Sequence, residues 1–547
     1  MAIQTPYSNI PTLVIDDMPT QQTTLRGQLQ MLHIQKVDVA TTPDDAIRLI
    51  RQRPYGLVIC DFNLNQKTDG QQLLEYLRDS GLLAPDCLFF MVTAENTYGS
   101  VASTSEHRPD AYLLKPITAG DVEDRLKSLL DRRNAMQPVN QRLAKGDLAG
   151  AVAACDAILA KKGRWAMQAL QLKGQALLQM GRPAEAAAVY RQALSVNESV
   201  VWAQLGLAKA LEAGGDIDQA LRLAEVLIGS RDGEKNVDAY DFAASCLEAR
   251  GDMAGALGLM KDLATVVPSP RRQRIVGEAA YRNGDLETAR ECYSRVAQAT
   301  KGTIAAKAQD AIALAQVLID TGDFAAAVSV IEAGAKAFPG HWQFAVAAPA
   351  LRAQIQARSG DVAAAGTSLV RARQGGRRSR ADFSTFVLAK AELMTGNEEA
   401  GLQLLESSVT DHHRDPRTRQ LVGQTLTQTG HADKFRRVVE AGVVAHHIAA
   451  ARALFGDGQA DRALAAIETA LADYPDNAEA LLQAAQMSCV TLRERRRTDA
   501  AFVQRVRGYL ARLDRLMPGH ERVARMHAYH RETIAELEGG SVVPHRA

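Results

Sequence analysis

Leu57-Val58-Ile59-Cys60-Asp61 sets four apolar side chains in unbroken succession ahead of a carboxylate. A strand with one wet face alternates apolar and polar residues. An unbroken run, β-branched at Val58 and Ile59, fits a strand covered on both faces, as in a parallel sheet. The pattern recurs on either side. Thr12-Leu13-Val14-Ile15 runs into Asp16-Asp17, Leu88-Phe89-Phe90-Met91-Val92 into Thr93, and Ala111-Tyr112-Leu113-Leu114 into Lys115. Lys36 to Ala40 is a weaker candidate strand. Between these runs Pro19–Met31, Pro43–Gln52, Gly70–Arg78, Asn96–His107 and Thr118–Arg133 read as helices. Strand and helix alternate throughout residues 1–133, so a doubly wound α/β domain is expected there.

Such a fold places its site just beyond the carboxyl ends of the strands. Four strands end there in Asp16-Asp17, Asp61, Thr93 and Lys115. Three carboxylates brought together repel unless a cation neutralises them, and oxygen ligands without His or Cys suit Mg²⁺. A lone hydroxyl and a lone ammonium beside them can grip a tetrahedral anion. Together these groups are equipped to move a phosphoryl group onto a carboxylate nucleophile.

The set Asp16-Asp17, Asp61, Thr93-Ala94-Glu95 and Lys115-Pro116 resembles the receiver domain of bacterial two-component response regulators, a flavodoxin-like fold, over about a quarter of the chain. The resemblance implies that Asp61 is the phosphoacceptor. It implies that Asp16, Asp17, Asp61 and the backbone carbonyl of Asn63 hold Mg²⁺, and that Thr93 and Lys115 bind the phosphoryl oxygens. Thr93 and Tyr112 would form the switch, with Tyr112 swinging inward on activation. The Lys115-Pro116 bond is expected to be cis. One local departure stands out. Receivers usually carry Pro four residues after the phosphoacceptor, where this chain has Asn65, and its Asp69-Gly70 pair comes one residue late. The loop Phe62–Thr68 is therefore longer and less rigid, which bears on its contacts with a kinase or phosphatase.

Beyond Arg133 the alternation of strands stops, and a short signature, Gly-Asp-x-x-x-Ala or a close relative, recurs. It starts at Gly146, Gly181, Gly215, Gly251, Gly284, Gly322 and Gly360, with weaker copies at Gly396, Gly430 and Gly458. A period near ~34 residues marks tetratricopeptide repeats. The physics agrees: Gly ends one helix in a left-handed turn, Asp or Asn caps the next, and the Ala is small where helices cross. Pro268, Pro339 and Pro475 stop the second helix at a common offset. The chain thus resembles a receiver followed by about ten tetratricopeptide-like hairpins, Pro138 to Arg493, joined to it through Asn134–Pro138. Thr498–Met517 and Gly519–Glu538 read as helices capping the superhelix, and Gly539–Ala547 as a frayed tail.

The remaining features narrow the function. Lys and Arg number 64 against 63 Asp and Glu, which argues against a dedicated nucleic-acid binder. The six cysteines are scattered with no Cys-x-x-Cys, as expected of buried thiols in a reducing compartment. The N-terminus lacks the pattern of a signal peptide, and no stretch reads as the ~20 apolar residues of a membrane span, so a cytoplasmic protein is expected. His412-His413 and His446-His447 are adjacent pairs, not the spaced pair of a zinc protease, and read as exposed. Two Arg-rich runs, Arg371 to Arg380 and Arg493 to Arg497, read as solvated loops, with an acidic partner peptide as an alternative role.

The expectation is a phosphorelay response regulator. A sensor histidine kinase or phosphotransfer protein would load Asp61, and phosphorylation would control protein binding by the repeat groove. A receiver-mediated dimer is a further form of partnership. Beyond self-catalysed phosphorylation and slow autodephosphorylation no enzyme activity is expected. Two rivals stay open: nucleic-acid binding through the Arg runs, and a constitutive scaffold with the receiver as phosphate sink.

Overall fold

The structure is a computed structural model. It describes residues 7–65, 67–84, 86–94, 108–230, 236–375, 382–495 and 500–538. The chain divides into two compact units, Met1–Asp310 and Ala311–Ala547.

The first unit begins with strands β1 (Thr12–Ile15), β2 (Val37–Ala40), β3 (Leu57–Asp61), β4 (Leu88–Thr93) and β5 (Ala111–Leu114), with α1 (Pro19–Met31), α2 (Pro43–Gln52) and α3 (Gly70–Asp79) between them. The strands form one parallel sheet in the order β2-β1-β3-β4-β5. Successive side chains point to opposite faces, and in β1, β3 and β4 both faces are dry. Leu13, Ile15, Val58, Cys60, Phe89 and Met91 pack with Ile47, Ile50, Leu73 and Leu77 of α2 and α3. On the other face Val14, Ile59, Phe90 and Val92 pack against Leu25 and Leu29 of α1 and against Val122 and Leu126. The doubly wound expectation holds, and the strand bounds agree to within a residue. The helix expected at Asn96–His107 lies mostly outside the described residues.

The largest correction concerns the helix expected to stop at Arg133. It runs unbroken as α4 (Ala119–Ala144), through Asn134–Pro138, with Pro138 inside it. Pro costs a helix one hydrogen bond and crowds the preceding turn. The burial along this helix offsets that cost. Val122, Leu126 and Leu130 serve the sheet, while Val139 packs against Ala151, Ala154 and Cys155 of the next helix, Leu148–Ala160. One helix therefore closes the α/β domain and opens the first hairpin.

Helical hairpins follow, turning at Gly146, Gly181, Gly215, Gly251 and Gly284 in the first unit. The second unit turns at Gly322, Gly360, Gly396, Gly430 and Gly458. Each of these glycines has positive φ, as at Gly251 (83°), where a side chain would be strained. The expected caps form: Asp147 Oδ1 accepts from the Gly150 N–H, and Asp216, Asp252, Asp285, Asp323 and Asp361 do the same for their own helices. The small residue five past the turn is buried in nearly every copy, from Ala151 to Ala463. In the copy at Gly396 that place is held by Gly401, where a Cβ would lie 2.6 Å from Leu393 Cγ.

The copy at Gly430 breaks the rhythm. A short 3₁₀ turn, Ala432–Lys434, leads into the long helix Phe435–Gly456, which runs directly to the next turn at Gly458. One helix serves two turns, which accounts for their close spacing. It also overturns the expectation that no stretch is apolar enough to span a membrane. Ala432–Gly456 is long and apolar enough by length and composition, its most apolar 18-residue stretch having a mean hydropathy of 1.3. A helix that packs on two neighbours needs apolar residues on two faces. Val438, Val439 and Val443 join Leu402, Leu405 and Val409, whereas Val444, Ile448 and Ala451 join Ala463, Leu464 and Ile467. Helices Ala500–Leu516 and Glu521–Glu538 close the described chain, and the tail Gly539–Ala547 lies outside it.

Candidate functional site

Strand register brings the polar residues together. Ile15 lies opposite Cys60, Asp61 opposite Val92, and Thr93 opposite Leu114. Asp16, Asp61, Thr93 and Lys115 therefore emerge at one edge of the sheet. Carboxylate oxygens of Asp16, Asp17 and Asp61 lie within 4.8 Å of one another. Asp16 and Asp61 are buried and Asp17 half-buried. Lys115 Nζ donates to Asp61 Oδ2 at 2.8 Å and stands 3.6 Å from Asp16 Oδ2. The Lys115-Pro116 bond is cis, as the resemblance implied.

The electrostatics favour a cation. Burial pushes the Asp16 carboxyl above its usual range; the Met18 N–H and the charge of Lys115 oppose that, and the charges of Asp61 and Asp17 add to it. Burial opposes the charge on Lys115, yet its hydrogen bond to Asp61 and the charges of Asp61 and Asp16 outweigh burial and raise its pKa. Met18 N–H donates to Asp16 Oδ1 at 2.8 Å, whereas Asp16 Oδ2 is buried without a hydrogen-bond partner among the described residues. Three carboxylates against one ammonium leave an excess of negative charge. An oxygen-only donor set with an orphaned buried oxygen fits a hard divalent cation such as Mg²⁺.

The other expected residues surround this cluster. Thr93 is buried at the end of β4. Asn63 is exposed on the loop after β3, and its side-chain oxygen accepts from the Asn65 N–H at 3.1 Å. Tyr112 is half-buried against the α2–α3 face of the sheet. Its hydroxyl is buried without a partner among the described residues, and burial pushes its pKa up to about 12. Two contributors were missed. Asn65 sits in the left-handed region at φ 48°, which Pro cannot adopt, and its Nδ2 donates to Asp17 Oδ2 at 2.7 Å. Gly70 lies so close to β3 that a Cβ there would overlap the Asp61 carbonyl oxygen. The displaced Asp-Gly pair was the available signal for both.

Of the histidines expected to be exposed His412 is, but His413 and His446 are half-buried and His447 is buried. His413 and His446 stack with centroids 3.6 Å apart, and His447 is buried 5.5 Å from both. They make no metal cluster: among the described residues only Asp16, Asp17 and Asp61 converge as ligands. Two arginines of the basic runs have internal partners. Arg373 forks onto Glu392 at 2.7 and 2.6 Å, and Arg493 pairs with Glu536 at 3.1 Å while lying over Tyr529.

This acidic pocket at the carboxyl edge of a five-stranded parallel sheet is a receiver's, and the comparisons agree. Residues 12–127 match the response regulator receiver domain family. Residues 177–240, 312–379 and 448–488 match tetratricopeptide repeat families. The chain thus carries a response regulator receiver domain followed by tetratricopeptide repeats, neither of them an enzymatic domain in the ordinary sense. It is 28% identical over 136 residues to the response regulator Rre1 of Synechocystis sp., covering 25% of this chain and 58% of that protein. It is 27% identical over 109 residues to a probable chemotaxis protein CheY of Rhizobium etli, 20% of this chain and 83% of that one. A solved tetratricopeptide repeat protein from Parabacteroides merdae aligns at 16% identity and a TM-score of 0.29, over 49% of this chain and 99% of that one.

Proposed function

We propose that this protein is a phosphorelay response regulator in which phosphorylation of Asp61 controls protein binding by the repeat array. The observation that carries this reading is the convergence of Asp16, Asp17 and Asp61 on one point, with Lys115 Nζ 2.8 Å from the Asp61 carboxylate. In the transfer an Asp61 oxygen attacks the phosphorus of a phosphohistidine. The P–O bond forms as the P–N bond breaks, and the leaving imidazole keeps the electron pair. Lys115 exchanges its carboxylate partner for a phosphoryl oxygen, and the Thr93 hydroxyl serves another. Asp16, Asp17, Asp61 and the Asn63 carbonyl are the residues that would hold Mg²⁺, which when bound neutralises charge on the transferred group.

A histidine kinase or phosphotransfer protein is the donor in this reading, and a protein partner occupies the repeats. A cytoplasmic setting goes with it, supported by six cysteines that are all free and buried. The nucleic-acid alternative loses ground because Arg373 and Arg493 are engaged internally. The test is labelling by a small acyl phosphate with Mg²⁺. Asp61→Asn keeps the shape but removes the nucleophile, so label is expected on the parent and not on the variant. Label persisting in Asp61→Asn would overturn the assignment.

A further inference from the structure

The lengthened loop after β3 has two ends, and each is held. At the site end Asn65 Nδ2 donates to Asp17 and the Asn65 N–H to Asn63 Oδ1. At the far end the loop meets the repeats. The Ile304 N–H donates to Thr68 Oγ1 at 3.4 Å, across 236 residues of sequence. Gly302, with φ 73°, lies against the Lys67 side chain: a Cβ on it would be 3.1 Å from Lys67 Nζ. The Ile304 side chain packs onto the α2–α3 core. At the end of α3, Asp79 pairs with Lys307 Nζ at 3.3 Å and with Arg271 Nη1 at 3.7 Å. Helix Pro270–Arg282 and the segment after helix Leu286–Thr300 thus clasp the same surface of the α/β domain that carries the loop.

The clasp is built to be weak. Its ion pairs are at least a third exposed on both sides, where such pairs contribute little. A cleft of ≈ 250 Å³ remains beside Tyr76, Asp79, Arg271 and Ile304. A polar, incompletely filled contact within one chain behaves like a transient interface.

Asn65 holds the acid that the receiver reading assigns to Mg²⁺, so amide and cation compete for the Asp17 carboxylate. Gly70 is pressed on the Asp61 carbonyl, and its N–H donates to Phe62 O at 2.8 Å. A shift at Asp61 is therefore passed directly to Gly70 and the start of α3. From this geometry we infer that the loop after β3 is a tether between the acidic pocket and the segment Gly302–Lys307. The clasp is closed while Asn65 holds Asp17 and opens when the pocket is loaded. This deepens the phosphorelay reading and rests on it, but it assigns the output route to the α3 side and not to the face beside β4 and β5.

Linkage makes the inference testable from both ends, because opening the clasp must then favour loading by the same factor by which loading favours opening. Hydrogen exchange would be followed by mass spectrometry on the full chain, with and without Mg²⁺ and beryllofluoride. Peptides covering Gly302–Lys307 should exchange faster when the pocket is loaded. Lys307→Glu, which alters an exposed side chain, should tighten binding of Mg²⁺ with beryllofluoride about fivefold, a modest value for coupled sites. Asn65→Ala should uncouple the two ends, leaving exchange at Gly302–Lys307 the same with or without the mimic. If the parent binds the mimic at Asp61 but exchange there is unchanged and Lys307→Glu has parental affinity, the tether is wrong and the receiver reading stands. If neither protein binds Mg²⁺ or the mimic, both readings fall.

Discussion

Asp61 and Gly70 show how closely the site is built at the scale of single residues. The Gly70 N–H reaches back to Phe62 O, and the missing side chain lets α3 start directly against the Asp61 carbonyl. Asp69 completes that start as a capping box with Gln72. A methyl group at position 70 would have to displace backbone, not a pliable side chain. Gly70→Ala is expected to destabilise the first unit by about 1–3 kcal/mol, the range of overpacked cores. Urea unfolding followed by tryptophan fluorescence and circular dichroism would measure it, and a parental midpoint would refute the close approach. The carboxylates, Thr93 and Lys115 were legible because each directly follows an apolar strand. The role of Asn65 was not. A polar residue in a polar loop carries no signal of its partner until the fold places Asp17 beside it.

At the scale of elements the decisive feature is α4. The sequence reading ended it at Arg133 and made Asn134–Pro138 a joint, and a proline at that place is a strong local sign of a helix boundary. Tertiary burial overrides that sign, because Met136 and Val139 have packing to gain only if the helix continues. A truncation beginning at residue 134 would thus leave Asn134–Ala144 as a stub, shorter than the ~12–15 residues at which isolated helices become stable. Its packing on Ala151 and Cys155 should fray. Limited proteolysis is expected to cut 134–547 within its first hairpin, while a chain starting at residue 119 resists there. Equal resistance of the two fragments would show that the hairpin does not need the shared helix. The turns behave differently: Gly with positive φ followed by a capping Asp is a wholly local code, and it was readable in almost every copy.

For the molecule as a whole the second unit, Ala311–Ala547, carries a pH dependence that its composition conceals. Burial, then the charges of His446, His447, Arg414 and Arg419, lowers the His413 pKa from its ordinary 6.5 to about 4. His447 moves in the same direction, mainly through burial. Between these values the unfolded chain binds a proton that the folded chain refuses. Stability is therefore fully present above about pH 6.5 and declines as pH falls toward 4. The melting temperature is expected to drop between pH 7.5 and 5, and His413→Gln should flatten that drop. A profile equally steep in the variant would exclude the cluster as its cause. The sequence by itself determined what local patterning can encode. That comprises the parallel strands with their terminal carboxylates, Thr93 and Lys115, and the glycine turns of the repeats, because each of these rests on neighbours within a few positions. Only the tertiary structure decided that α4 passes through Pro138, that one helix serves Gly430 and Gly458, that three imidazoles meet, and that Thr68 receives Ile304. Each of these depends on burial shared between residues far apart in the chain, and a hydrophobic contact leaves no mark on the local sequence that says which distant partner will supply it.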